Sequence, residues 1–497
     1  MIPALDTYPR CVTVAQTVGG KVSLLAAFAL GLVLLGNAGW WAIAAFLVLT
    51  TFLPRQRRVW LTLGSLSLLF FHTHWPKAAF IRDLATREQA SHFLLSPTFQ
   101  ILGALFMLGL LGIVAHLAGE FRKSFPLKRP LLTLALSYFL LMLTACYAPL
   151  SGSGRVVLWM VVVFFGSYFW YFGFTLLDRN SKDPDPYSLQ LGTYYPVWAL
   201  RASPTPFVKG AAYLRKIEAK NPEELAVTQL KGLKLLYWVL LLDIVNALFT
   251  RFVFGPENAS SSLVVNNLLR WTGWELPVHL SVPTLGTAMA RNAAGAPFAW
   301  YVCWVTLIAS FLKSLLTASL FGHPIVASCR AAGFRALRNT YRPLESRTIA
   351  EFFNRYYFYF KEMLVEFFFY PTYLRYFKRH RRLRLMVASL AAATLGNMMY
   401  HFMRDIEYVV QLGLWKALVG FRVYAFYTLV LGLGIAVSQI SDRRKTPHTP
   451  GWIRARLWPS LGVGLFFCLL QVFDSTARTT PIRDHFLFLA NLLPGWR

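Results

Sequence analysis

"LMVASLAAATLGNMMYHFMRD", residues 385–405, opens as an apolar run and closes on a polar stripe. Its first part, 385–395, has the composition of a segment that enters hydrocarbon. The second part carries Asn397, His401, Arg404 and Asp405, spaced by four, three and one, so on a helix all four fall on or near one face. Ionisable groups inside a membrane helix are costly unless they pair, face the bundle interior or line a cavity. The stretch therefore reads as a membrane helix with a chemical reason for its polar side.

The rest of the chain agrees with the first half of that reading. Of 497 residues, 56% are hydrophobic and only 14% are charged, well below the quarter or so expected of a soluble domain. Apolar segments recur near 22–37, 40–53, 59–71, 99–117, 131–150, 156–177, 235–254, 298–321, 385–403, 420–439 and 458–473. A helix crossing about 30 Å of hydrocarbon needs roughly 20 apolar residues, so the shorter segments predict tilted, re-entrant or interfacial pieces. The expectation is an all-α polytopic membrane bundle of about 11 membrane helices, a single integral membrane domain over 1–497. Lys21 ahead of "VSLLAAFALGLVLLG" imitates a signal peptide, but "WWAIAAFLVLTTFL" follows at once and points to an uncleaved hairpin or re-entrant pair.

The formal charge of +28 comes from 50 Lys and Arg against 22 Asp and Glu. No basic block belongs to a separable soluble domain, which argues against nucleic acid as a partner. Cytoplasmic loops retain Lys and Arg, and anionic lipids attract them. On that rule "LPRQRRVW" (53–60), "EFRKSFPLKRP" (120–130) and 322–384, with thirteen Lys and Arg, face the cytoplasm, and the milder 255–297 faces outward. Five scattered cysteines, Cys11, Cys146, Cys303, Cys329 and Cys468, form no C-x-x-C pair and read as packing residues.

Within 322–384, "SRTIAEFFNRYYFYFKEMLVEFFFYP" (346–371) predicts a strongly aromatic helix with Ser346 as N-cap. It carries Glu351, Asn354, Arg355, Lys361, Glu362 and Glu366, and Asn354 and Tyr357, three apart, share a face. A lipid-facing helix would not tolerate this load, so it lies at the interface or against a cavity.

Gly333-Phe334, Pro343, "SRTIAEFFNRYY" (346–357) and His401 within "NMMYHF" (397–402), 47 residues after Asn354, resemble the membrane-bound O-acyltransferase family. The likeness covers 320–410 best, making 322–410 the expected acyltransferase core. Where the family has Trp-His or Trp-Asn, this chain has Tyr356-Tyr357, so its first polar partner is Tyr357 or has moved one turn to Asn354. Tyr400-His401-Phe402 replaces the Trp-His-Gly of the polysaccharide-acetylating branch, which marks a divergent, bacterial-type member.

The resemblance implies a tunnel in which His401 takes a proton from a hydroxyl acceptor, whose oxygen attacks an acyl thioester. Asn354 or Tyr357 would donate to the oxyanion. Asp405 would orient the imidazole, or be paired by Arg404 so that the histidine stays neutral, with Asn397, Glu351 and Arg355 in support. The donor would be acyl-CoA or an acyl-carrier protein, drawn to the basic 322–384 surface. The acceptor would be a glycan, lipid or cell-envelope component, with an extracytoplasmic partner enzyme and a bacterial inner membrane as the setting. No metal or other cofactor is called for.

A rival class, a transporter or flippase for an anionic lipid or glycan, uses the same polar intramembrane residues, but no inverted repeat is evident. Other features carry less. Asp243 and Asn246 suggest a tie across the bundle to Lys313, while His72 and His74, "DPDP" (183–186) and "SGSGR" (151–155) are weak mimics of metal or phosphate sites.

Overall fold

The computed structural model describes residues 4–71, 75–121, 128–179, 185–199, 205–207, 209–258, 262–273, 278–441, 456–474 and 480–495. Among these residues the chain is all-helical, with one isolated bridge between Glu218 and Phe334. His72, His74 and Asp183 of the motifs above lie outside the described residues.

Among the described residues, six helices are long and apolar enough to cross a membrane: Pro97–Leu117, Pro130–Tyr147, Gly152–Arg179, Pro222–Phe254, Trp300–Ala331 and Arg422–Ser441. A bent pair, Pro9–Gln16 and Val18–Leu34, turning by 97°, makes a seventh if it counts as one span. This fits an integral multi-pass membrane protein. The number falls short of the eleven expected, for identifiable reasons. The apolar helices Trp40–Phe52 and Trp458–Phe473 are shorter than a span, and the 59–71 segment belongs to a 15-residue helix, Arg57–Phe71. The 385–403 segment is helical throughout, but it passes from α-helix (Arg381–Leu390) to π-helix (Ala391–Gly396) and back to α-helix (Asn397–Arg404).

Local chemistry sets the boundaries. Pro222–Phe254 begins where Asn221 accepts the Glu224 N–H (2.8 Å), with Pro222 at its first position, and ends at Gly255, whose φ of +93° leaves the helix. Gly152–Arg179 is apolar on all sides through "VVVFFGSYFWYFGF", as a central helix must be. Its apolar window is 72% buried, against 22% for Pro97–Leu117, so the first is the hub and the second faces outward. Gly173 lets the hub approach the 365–369 segment, since a Cβ there would sit 2.8 Å from the Phe367 ring.

Gly333-Phe334, part of the family resemblance, has a structural task. Gly333 adopts φ +92° and leaves room for the buried Arg57, whose guanidinium a Cβ would strike at 2.8 Å. Arg57 donates to the Ala219 carbonyl (3.1 Å) and pairs with Glu218, which also takes Arg58 at 2.8 Å. One charged knot thus ties 54–58, 217–219 and 333–335 together. The suggested Asp243–Lys313 tie is absent among the described residues: Lys313 lies 5.1 Å over the Phe254 ring, and Asp243 meets Ser262.

Candidate active site

The aromatic helix expected over 346–371 is not continuous. Pro343 opens a 3-10 turn, so the helix starts later than Ser346; Thr348 is the cap, accepting the Glu351 N–H at 3.1 Å. The first piece, Ile349–Tyr356, stops at Tyr357 (φ −144°, ψ 76°), and a second, Phe358–Leu364, starts at once. A break exposes backbone groups that need partners, and 339–341 supplies them as a splint. Tyr341 N–H donates to the Arg355 carbonyl (2.8 Å) and the Thr340 hydroxyl to the Tyr356 carbonyl (2.9 Å). Beyond the break, Phe358 N–H donates to the Asn339 carbonyl (2.9 Å) and Tyr359 N–H to its side-chain oxygen (3.4 Å). His323 holds the splint through the Thr340 carbonyl (2.8 Å), and Gly322 leaves space for Asn339.

The break separates the residues that a continuous helix would have aligned. Tyr357 turns inward and packs against two of the apolar clusters. Asn354 is exposed. Glu351 and Arg355 pair with each other at 2.6 Å, and Arg355 also reaches Glu345 at 3.8 Å. These three thus sit on an outward face of the first piece.

His401 lies at the other side of the same junction, part-buried. Its ring contacts Tyr424 (centroids 4.2 Å), Tyr400 (5.2 Å) and the edge of Phe360 (6.4 Å, 90°). Phe360 also stacks on Tyr357 at 5.8 Å, so one phenyl ring contacts both Tyr357 and His401. The Tyr424 hydroxyl donates to buried Asn397 (3.0 Å), which fixes the ring that faces the imidazole. The Tyr400 hydroxyl meets buried Thr205 at 2.8 Å, and Tyr357 faces the same threonine. Arg404 grips both oxygens of Asp405, at 2.7 and 3.1 Å.

Two π-helical segments lead into this group, Val365–Phe369 and Ala391–Gly396. Such wide turns are rare and concentrate at functional sites. They pack together at Gly396, where a Cβ would lie 2.6 Å from Phe368 and 3.0 Å from Leu364. The polar stripe 397–405 begins directly after the second.

The structure therefore brings together His401, Asn397, Tyr357, Arg404 and Asp405, and leaves Asn354, Glu351 and Arg355 outward. It adds Tyr424, Phe360 and Thr205, which the sequence did not mark out, and sets Tyr400, noted there only as a departure from the family motif, against the His401 ring. A polar signal was present for Tyr424, since "RVYAFYTLVLG" puts two tyrosines one turn apart in an apolar span. Nothing local signalled Thr205. Comparison of the chain with protein-family models and with curated proteins gives no match.

Proposed function

We propose that this chain is a membrane-embedded O-acyltransferase, a divergent relative of the membrane-bound O-acyltransferases, with His401 as general base. The observation that carries the reading is the junction itself. His401 sits among Tyr424, Tyr400 and Phe360, one turn before Asp405, which Arg404 holds. Arg404 occupies both oxygens of Asp405, and the neutral form of an imidazole is the one that accepts a proton.

In this reading the acceptor hydroxyl gives its proton to His401 as its oxygen attacks the thioester carbonyl. The tetrahedral intermediate collapses with expulsion of the thiolate, which recovers the proton, leaving an ester and a free thiol. The Tyr357 hydroxyl is the better placed of the two oxyanion candidates, because Asn354 faces outward. The donor enters from the basic 322–384 side as acyl-CoA or acyl-carrier protein. The acceptor, a glycan, lipid or envelope component, comes from the bilayer or the far side of a tunnel through the bundle, in a bacterial inner membrane.

The test is thiol release from an acyl-CoA and from an acyl-carrier protein by the purified chain in lipid nanodiscs. An acyltransferase releases thiol in proportion to added hydroxyl acceptor. The rival transporter or flippase leaves the thioester intact at every acceptor concentration.

A further inference from the structure

The two helices that bear the π-segments are joined by 376–380, and this tip has a composition of its own. The first helix ends at Arg375, and the second starts at Arg381. Between Glu366 and Asp405 the sequence contains no carboxylate. Arg375, Lys378, Arg379, Arg381 and Arg382 are all exposed, and among the described residues none of them forms an ion pair. Interleaved with them are Leu374 (60% exposed), Tyr376 (53%) and Phe377 (45%).

The tip has a defined turn and neck. Phe377 takes a left-handed φ of +50°, and His380 N–H donates back to its carbonyl at 3.0 Å. At the neck, the Arg384 guanidinium lies 3.9 Å from the Tyr373 ring centroid, and that ring stacks on Phe369 at 5.5 Å. A left-handed conformation at a bulky residue is strained, and the His380 bond closes the turn around it.

We infer that the 374–382 tip is a docking surface for anionic lipid headgroups of the leaflet it faces. The pairing of chemistries decides the occupant. A soluble anion would satisfy the cations but leave Leu374, Tyr376 and Phe377 in water. An interface accepts both, with aliphatic and aromatic groups at headgroup depth and Lys and Arg on the phosphates. The inference stands without the acyltransferase reading.

Native mass spectrometry of the full chain in detergent, titrated with phosphatidylglycerol or phosphatidylcholine, tests it. The wild type retains phosphatidylglycerol preferentially, and salt weakens the retention. Each basic side chain near an anionic surface contributes about a fivefold factor at most, so K378Q/R379Q/R381Q/R382Q weakens retention by roughly 10- to 600-fold. The variant L374S/Y376S/F377S also binds less, with every charge in place. Equal retention of the two lipids by the wild type overturns the inference without recourse to any variant. So does displacement of phosphatidylglycerol by inorganic phosphate or by an acidic carrier protein. A folded fourfold variant that binds as the wild type does overturns it too, folding being checked by tryptophan-fluorescence melting.

Discussion

At the scale of single residues, orientation of His401 depends on a ring held by a hydrogen bond. The Tyr424 ring lies against the imidazole at 4.2 Å, and its hydroxyl reaches buried Asn397. Tyr424→Phe keeps the ring contact and removes the anchor. An unmet buried amide oxygen costs about 1–3 kcal/mol, so the variant should melt earlier and lose activity, though by less than a variant without the imidazole. Thermal melting and thiol release on one preparation measure both effects. Gly396 sets a second constraint. Alanine would add up to about 1 kcal/mol of helix propensity, but its Cβ would lie 2.6 Å from the ring of buried Phe368. Overpacking of that kind costs about 1–3 kcal/mol. The clash outweighs the propensity, and Gly396→Ala should lower the melting temperature; a rise would show that the two π-segments separate easily.

At the scale of elements, the break at Tyr357 distinguishes this architecture from a simple aromatic helix. Asn339 receives two N–H groups of the second piece through its backbone and side chain. Asn339→Ala should cost about 1–3 kcal/mol and reduce activity through Tyr357, measured by melting and by the same thiol assay. The second piece also carries Glu362, half-buried between Lys209 and Lys361. Burial alone would raise its pKa, but hydrogen bonds from the two lysines outweigh that and hold it below the ordinary 4.5. A carboxylate depressed by folding contributes stability above its unfolded pKa, and that stability is lost as pH falls through the folded value. Glu362→Gln should therefore narrow the difference in melting temperature between about pH 7 and pH 3; an unchanged difference would remove Glu362 from the acid limb. These elements also mark the limit of sequence reading. Spans such as Gly152–Arg179 and the stripe from Asn397 to Asp405 were legible, because hydropathy and helical spacing are local properties. The break was not, because the groups that stabilise it lie on 339–341 and on His323, outside the helix they interrupt. Asn354 was misplaced for the same reason, since its inward face required a continuous helix.

At the scale of the whole molecule, the positive-inside rule predicts a direction across the bilayer from the basic 322–384 segment. Thirteen Lys and Arg in that segment resist translocation near membrane helices. Arg382→Cys should thus escape an impermeant thiol reagent in intact cells and react after permeabilisation; labelling in intact cells would invert the orientation. The same direction gives the proposed chemistry its sides, with the thioester donor arriving from the basic face and the acceptor from the bilayer or beyond. Everything in that scheme converges on one imidazole. Loss of a general base costs about 10²- to 10⁴-fold in rate, while a part-buried ring at a junction contributes far less to folding. The direct measurement is acyl transfer by His401→Ala beside wild type, in nanodiscs, with melting recorded on both. The account predicts a well-folded variant that still binds donor and transfers acyl groups at least about a hundredfold more slowly. Full transfer by that folded variant would contradict it.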